Sequence, residues 1–560
     1  MKLTNKQSLT DLNARDRVHA LLDENTCEEL LGPFDGIESP HLPAQGIVPQ
    51  SDDGVVIGKG LLEGKRTVII ATEGQFQGGG IGEVAGAKIA GALELALRDN
   101  QNGLSTQVVL VLDTGGVRLQ EANYGLLTIA EIHAAIIALR EYVPVIGIIP
   151  GKIGVFGGMA ISAGLCSKLI MTKEGRMCLN GPEVIEQEAG ITELDSSDRR
   201  LVWRVIGGEQ RVKTNLADAL SEDDIDSFKA KINALFTSDS AEEPRSRQIY
   251  RYRQIVNQHD PSKRIQPEIF REITHSNNSS VQKNSGPVNQ SAESRGEKWF
   301  EVFTGKNAAH MEEIPSVLYG SGKVGEQEAC FLAVVPNAEA KYRRATDGEF
   351  GLEEGWKLAE YINSIVEEDK NSLKRPIVAV VDTPSQAYGY NEEMAGIHLS
   401  CAAAVDAYAT ARMEGHPIIT LIVGKAISGA FLSHGMQGNR IIALDDDHVQ
   451  VQVMSKESAA RVTLRTVEEV ERASETVPAT GYDIHSFKKL GALDELVHTE
   501  SPGTPDVKDK ELIEQHILSQ LADVQEKGLD INHRWKTAQA VKEGRIASIN
   551  VREKMEEQWI

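Results

Sequence analysis

A cassette recurs in the two halves of this chain with nearly equal internal spacing. Gly86-Ala87-Lys88-Ile89-Ala90 leads to Asp113-Thr114, and Gly355-Trp356-Lys357-Leu358-Ala359 leads to Asp382-Thr383, with 27 positions between first glycine and aspartate each time. Ile89, Leu93, Ala96 and Leu97 fall at i, i+4, i+7 and i+8, and so do Leu358, Ile362, Ile365 and Val366, so each stretch predicts an amphipathic helix. The runs 108–112 and 377–381 are short, branched and bounded by turn residues, as expected of strands buried on both faces of a parallel sheet. Each cassette therefore delivers its Asp-Thr pair to the carboxyl end of a strand.

A second helical stretch follows in each half, over 125–140 and 394–412, then Pro144 or Pro417 opening another apolar strand, then a glycine-rich loop, 151–159 or 424–430. Asp113 precedes Gly158 by 45 positions and Asp382 precedes Gly429 by 47. Glycine lets backbone N–H groups turn toward a ligand, and a helix beginning there adds its positive end, which suits an enolate or tetrahedral oxygen. One such loop alone is equally a device for close helix-to-strand packing; two at matched positions favour the chemical reading.

A chain of 560 residues exceeds one ordinary core, so two domains of about 250 residues fit both length and repeat. Residues 273–298 turn Ser-, Asn-, Gln- and Gly-rich and read as a flexible linker between domains 1–272 and 299–560. After about Pro502, Ile513, Ile517, Leu521 and Val524 keep helical spacing, predicting a helix docked on the second domain. The net charge of -23 disfavours nucleic acid and anionic membranes as partners. Five cysteines, Cys27, Cys166, Cys178, Cys330 and Cys401, show neither C-x-x-C nor zinc-ligand spacing, so a reducing cytoplasm is the expected home. The polar start 1–17 has no apolar signal-peptide core. Glycines and Pro150 break 143–164, the one candidate span, so no transmembrane helix is expected.

With these motifs in place, the chain resembles the carboxyltransferase branch of the crotonase (ClpP-like) superfamily, which implies an α/β fold of two crotonase-like domains related by internal duplication. Asp113-Thr114-Gly115-Gly116-Val117-Arg118-Leu119-Gln120-Glu121 with Gly154-Val155-Phe156-Gly157-Gly158-Met159-Ala160 resembles the acyl-binding half. Val381-Asp382-Thr383-Pro384-Ser385-Gln386-Ala387-Tyr388-Gly389 with Ile427-Ser428-Gly429-Ala430-Phe431-Leu432-Ser433-His434-Gly435 resembles the half that holds carboxybiotin in biotin enzymes. Within that branch the sequence is similar to biotin-independent malonate decarboxylase with its beta and gamma subunits fused. Gly181-Pro182-Glu183-Val184-Ile185-Glu186 and residues 195–200 resemble the beta subunit; residues 426–439 and Val453-Met454-Ser455-Lys456 resemble the gamma subunit. Ser385 stands where the gamma motif has glycine, which puts the turn before Tyr388 in question.

The resemblance implies loss of carbon dioxide from a malonyl thioester to leave an enolate. Backbone donors at Gly157 and Gly158 would receive the thioester oxygen, those at Gly429 and Ala430 would orient the departing carboxylate, and His434, Tyr388 or water would protonate the carbanion. Gly115, Gly116, Gln120, Gln386, Tyr388 and Ser428 are candidate substrate-binding residues, and Glu121 and Glu393 would help shape the pocket. For Asp113 and Asp382 the expected role is structural, as acceptors of loop amides. No metal and no cofactor on this chain are implied, since the substrate rides on the CoA-like arm of a separate acyl carrier protein. The implied partners are that carrier and an acyltransferase subunit, within a homo-oligomeric assembly. The acidic carrier needs a basic surface, and Arg245, Arg247, Arg251 and Arg253, or Lys341, Arg343 and Arg344, are the candidates. Two alternatives stay open: a carboxyltransferase passing the carboxyl group to a biotin protein, and a catalytically silent scaffold.

Overall fold

A computed structural model describes residues 7–237, 243–275, 294–305 and 314–559. Two seven-stranded sheets organise it. The first runs β1 (Glu28–Leu30), β2 (Val55–Leu62), β3 (Lys65–Thr72), β4 (Gln107–Val111), β5 (Val145–Ile149), β6 (Lys168–Met171) and β7 (Ala219–Leu220) in chain order. The pairs β1–β2 and β2–β3 are antiparallel, and every later pair is parallel. The second contains β8 (Val317–Val324), β9 (Gln327–Val334), β10 (Ile377–Thr383), β11 (Ile418–Ile427), β12 (Arg440–Leu444), β13 (Gln450–Gln452) and β14 (Glu495–Val497). Its β8–β9 hairpin is antiparallel and its remaining pairs are parallel. The central strands are buried on both faces, which is why their sequences are unbroken apolar runs.

Each predicted first helix packs on the second helix of its own half at a glycine. A Cβ on Gly86 would lie 2.0 Å from Thr128 Oγ1, and one on Gly355 would lie 2.2 Å from Ser400 Oγ. These contacts join the Glu83–Gln101 helix to Ala122–Leu139, and Leu352–Glu368 to Ile397–Met413. Both hydroxyls donate back to a carbonyl at the start of the partner helix, Thr128 to Gly82 at 3.1 Å and Ser400 to Leu352 at 2.7 Å. The cassette glycine is thus a helix-crossing contact. Lys88, three residues short of the next glycine, buries its ammonium against the carbonyls of Leu31, Asp52 and Val55.

The chain divides into two compact units, and neither is continuous. The first holds residues 1–245, 266–276 and 547–560; the second holds 246–265 and 277–546. This differs from the uninterrupted domains 1–272 and 299–560 expected from sequence, because the Ile546–Gln558 helix is built into the first unit. Arg552 grips the Glu94 carboxylate at 3.0 and 3.1 Å and Glu131 at 2.8 Å, and Trp559 Nε1 donates to Asp99 at 3.1 Å. Of the expected linker, 276–293 lies outside the described residues; its ends fall in the Pro267–His275 helix and at Ser294, which caps the Arg295–Thr304 helix. The expected tail helix is present as Val507–Lys527, with Ile513, Ile517 and Val524 buried in the second unit. Among the described residues one helix, Ala122–Leu139, is long and apolar enough to cross a membrane, and most of it is packed inside the first unit. Residues 143–164 instead form β5, a loop and the Gly158–Leu165 helix.

Candidate functional site

In the first unit, Asp113 ends the run that begins with β4 and fixes the glycine loop that follows β5. Its Oδ1 accepts from the N–H groups of Ile153 at 2.6 Å and Gly154 at 3.1 Å, while Arg17 pairs with Oδ2 at 3.1 Å. This is the loop-amide role expected of it. Residues 154–157 then run beside 176–179, with Val155 N–H donating to Arg176 O at 2.8 Å, Cys178 N–H to Val155 O at 3.1 Å and Gly157 N–H to Leu179 O at 3.0 Å. Gly157 turns at φ 59°, ψ -142°, and Gly158 begins the helix. Gly116, at φ 96°, comes so close that a Cβ on it would lie 2.8 Å from Phe156 O.

This geometry moves the expected donor pair by one residue. Gly157 N–H is engaged by Leu179 and is not available to a ligand. The N–H groups of Gly158 and Met159, first and second in the helix, have no intrahelical acceptor, and both residues are buried. Met159 is the donor that sequence reasoning missed; the rule that a helix's first N–H groups lack partners would have found it. His133, fully buried on the Ala122–Leu139 helix, places Nε2 3.1 Å from Gly158 O.

The second unit repeats the anchoring: Asp382 Oδ1 accepts from Lys425 N–H at 3.0 Å. The expected loop 424–430 is largely strand, because Lys425, Ala426 and Ile427 pair with β13, so β11 runs directly into the Ser428–Ser433 helix. Ser428 takes φ 53°, close to the φ of Gly157 at the equivalent helix start. Gly429 N–H donates to Gln386 Oε1 at 3.1 Å, so the Gln386 carboxamide occupies this donor, and Ala430 is the next residue of the helix. Ser385 O accepts from Phe350 N–H at 2.9 Å and Ala387 N–H returns to Phe350 O at 3.0 Å. Ser385 is absent from the positive-φ positions, so this turn needs no glycine.

His434, a candidate proton donor from sequence, caps the C-terminal end of the Ser428–Ser433 helix with no exposed surface. Tyr408 Oη lies 2.9 Å from Nδ1 and Val380 O 3.0 Å from Nε2, so both ring nitrogens are engaged within the unit. Burial pushes its pKa down to about 4, so the ring is neutral near pH 7.

Gly115 is exposed, with its N–H on Gly78 O at 2.8 Å, and Gly116 N–H reaches Thr114 Oγ1 at 3.1 Å, so neither offers a free amide. Gln120 is half-buried and its carbonyl accepts from Gln45 Nε2 at 2.6 Å. Tyr388 is half-buried, and Glu393 is fully buried. Glu121 belongs to a buried network, accepting from Ser39 at 3.0 Å, Glu83 N–H at 3.1 Å and Arg118 at 2.6 Å; Arg118 also donates to the Asp53 carboxylate at 2.7 Å and to its carbonyl at 3.1 Å. Three of the four arginines of the first cluster are engaged in ion pairs, Arg245 with Asp218, Arg247 with Asp406 and Arg253 with Glu360, while Arg251 is exposed and donates to Gln248 Oε1 at 2.9 Å. Among the described residues no group of three or more His, Cys, Asp or Glu side chains could hold a metal ion.

The malonate decarboxylase gamma subunit family (MdcE) matches residues 345–559. The malonyl-S-ACP:biotin-protein carboxyltransferase chain MADC of Malonomonas rubra is 42% identical over 239 residues, 41% of this chain and 75% of that one. Its companion MADD is 35% identical over 207 residues, 36% of this chain and 71% of that one. A chain of a Pseudomonas malonate decarboxylase hetero-tetramer in complex with malonate is 52% identical, covering 49% of this chain and 99% of its own, with a TM-score of 0.48. With both Malonomonas chains matched over more than two thirds of their length, this protein belongs to the malonate decarboxylase-related carboxyltransferase family.

Proposed function

We propose that the chain decarboxylates a malonyl thioester carried by an acyl carrier protein, giving the acetyl thioester and carbon dioxide. The bond from the malonyl methylene to the carboxylate breaks, its electron pair moves onto the thioester oxygen as an enolate, and the methylene carbon then takes a proton. What carries the reading is the pair of N–H groups of Gly158 and Met159, buried at a helix start without an intrahelical acceptor. Such donors stabilise an enolate oxygen more than a ground-state carbonyl, and losing one costs about 10²-fold or more in rate. The second helix start, at Gly429 and Ala430, would orient the departing carboxylate once Gln386 yields its place. With both nitrogens of His434 engaged, Tyr388 or water remains as the proton source.

The same reading makes the chain a fusion of beta-like and gamma-like halves derived by duplication, a view supported by the matched Gly86–Thr128 and Gly355–Ser400 contacts. It takes the carrier and an acyltransferase subunit as partners, within a cytoplasmic homo-oligomer, and needs neither metal nor cofactor on this chain.

The test is carbon dioxide release from malonyl-loaded carrier with avidin present and biotin absent, comparing the parent with Gly158→Pro. Proline is tolerated at the first helical position; it removes the N–H and puts its ring in that place. Release by the parent and a loss of about 10²-fold in a folded variant is the expected result. No release by the parent would sink the proposal. The second reading, transfer of the carboxyl group to a biotin protein, draws on the printed activity of MADC and MADD; carboxylation of a biotin acceptor, abolished by avidin, would favour it.

A further inference from the structure

We infer that His133 and Ser433 are positioning residues, each donating a supplementary hydrogen bond to the first helical glycine carbonyl and so strengthening the N–H of the next residue, Met159 or Ala430. This rests on reading the Met159 N–H as an oxyanion donor and the Ala430 N–H as a holder of the departing carboxylate.

The carbonyl of Gly158 and the N–H of Met159 belong to one conjugated amide. A hydrogen bond into the oxygen draws electron density from the nitrogen and makes the N–H more acidic, the origin of cooperativity along hydrogen-bonded chains. As the first carbonyl of an α-helix, Gly158 O already has an i+4 N–H available to it. The bond from His133 at 3.1 Å is therefore additional to what the helix needs.

His133 is also an expensive way to fill its position. It sits with no exposed surface in an apolar helix, flanked by Ile132 and Ala134 and followed by Ala135, Ile136 and Ile137. A carbonyl partner requires Nε2 to carry the hydrogen, which leaves Nδ1 as a bare acceptor, and that atom is buried with no partner. An orphaned buried acceptor destabilises the fold, a cost that a leucine would avoid. The one bond the ring makes goes to the amide whose other end is the Met159 donor.

The second unit supplies the same bond by another route. Ser433 Oγ donates to Gly429 O at 2.7 Å, one turn along its helix, whereas Ser162 at the same offset in the first unit stands 3.5 Å from Gly158 O, too far for a good bond. Where the local serine falls short, a histidine from a neighbouring helix fills the role.

The experiment uses the full chain labelled with 15N-methionine; of its ten methionines Met1 carries an amine, which leaves nine amide signals, and loss of one in Met159→Leu assigns Met159. His133→Leu should shift the Met159 amide resonance, and His133→Gln, which keeps a donor, should shift it less. In turnover of malonyl-loaded carrier, His133→Leu should lower kcat about 2- to 5-fold with KM unchanged, with part of the loss recovered in His133→Gln, and Ser433→Ala should raise KM about 2- to 5-fold. A Met159 signal unmoved in folded His133→Leu overturns the inference, as does a shifted signal with kcat unchanged in His133→Leu and KM unchanged in Ser433→Ala. An inactive parent would instead bring down the proposed function, while the difference in Met159 shift between His133→Leu and His133→Gln, both lacking the ring, would still decide whether a hydrogen bond there polarises that amide.

Discussion

The Tyr408 hydroxyl lies 2.9 Å from Nδ1 of His434 inside the second unit, while Nε2 of the same ring lies 3.0 Å from the Val380 carbonyl. Since a carbonyl only accepts, the proton sits on Nε2 and the phenol donates to Nδ1. Tyr408→Phe should leave Nδ1 buried without a donor and cost about 1–2 kcal/mol, read as a lower urea midpoint with unchanged slope. Turnover in the folded variant should stay within about 3-fold of the parent; a general acid disabled by the change would cost about 10²-fold or more.

His133 and His434 give the fold a shared acid limit. Burial pushes both pKa values down to about 4 from an ordinary value near 6.5. Between these values the unfolded chain binds more protons than the folded one, so stability rises with pH across the window and is lost as pH falls from about 6.5 to about 4. Each ring contributes on the order of 3 kcal/mol at the acid end. In the same window burial pushes Asp53 up to about 6 and Glu354 up to about 7, so these carboxyls take up protons in the folded state and act in the opposite direction, and the rings are read by difference. Across denaturant midpoints from pH 7.5 to 4, His434→Leu should lose less stability toward acid than the parent; a variant profile parallel to the parent's would contradict the burial of that ring.

What the sequence disclosed and what it hid divide along chain distance. Asp113 and Asp382 were legible because a carboxylate at a strand's end answers to loop amides whatever the wider fold. The helix crossings at Gly86 and Gly355 were signalled by periodicity, although their partners, Thr128 and Ser400, were not. Which glycine amide is free was hidden: Gly157 and Gly158 look alike as letters, and only Leu179, arriving from the turn after β6, takes one of them. His434 was hidden for the same reason, as Val380 lies 54 positions away. The place of residues 547–560 depends on Glu94, Asp99 and Glu131, more than 400 positions earlier, and no local pattern announces such a return.

The two helix starts make opposite predictions for one substitution. Gly157 at φ 59°, ψ -142° sits where essentially only glycine is at ease, and a Cβ there would meet nothing nearer than Gly116 Cα at 3.5 Å. Gly157→Ala should therefore cost about 1–3 kcal/mol through backbone strain alone, and Gly116→Ala more, since its Cβ would also press on Phe156 O. Ser428 already bears a comparable φ with a side chain, so Ser428→Gly should be neutral or stabilise by up to about 1 kcal/mol. Thermal melts of the three variants check the ordering.

Gln386 guards the second helix start. The carboxamide oxygen now accepts from Gly429 N–H at 3.1 Å on a side chain that is only 6% exposed. A carboxylate oxygen in its place would make a charge-assisted bond at the positive end of a helix, but it would also bury a charge and lose the amide's N–H donors, so the urea midpoint of Gln386→Glu should fall. Under the proposed reaction the same charge would repel the departing malonyl carboxylate and hold the amide the substrate needs, so kcat/KM should fall by about 10-fold or more. Gln386→Ala should also lose stability, by about 1 kcal/mol, but would free Gly429 N–H for the substrate and so keep turnover. If Gln386→Glu retained full turnover, the second helix start would have no part in holding the carboxylate.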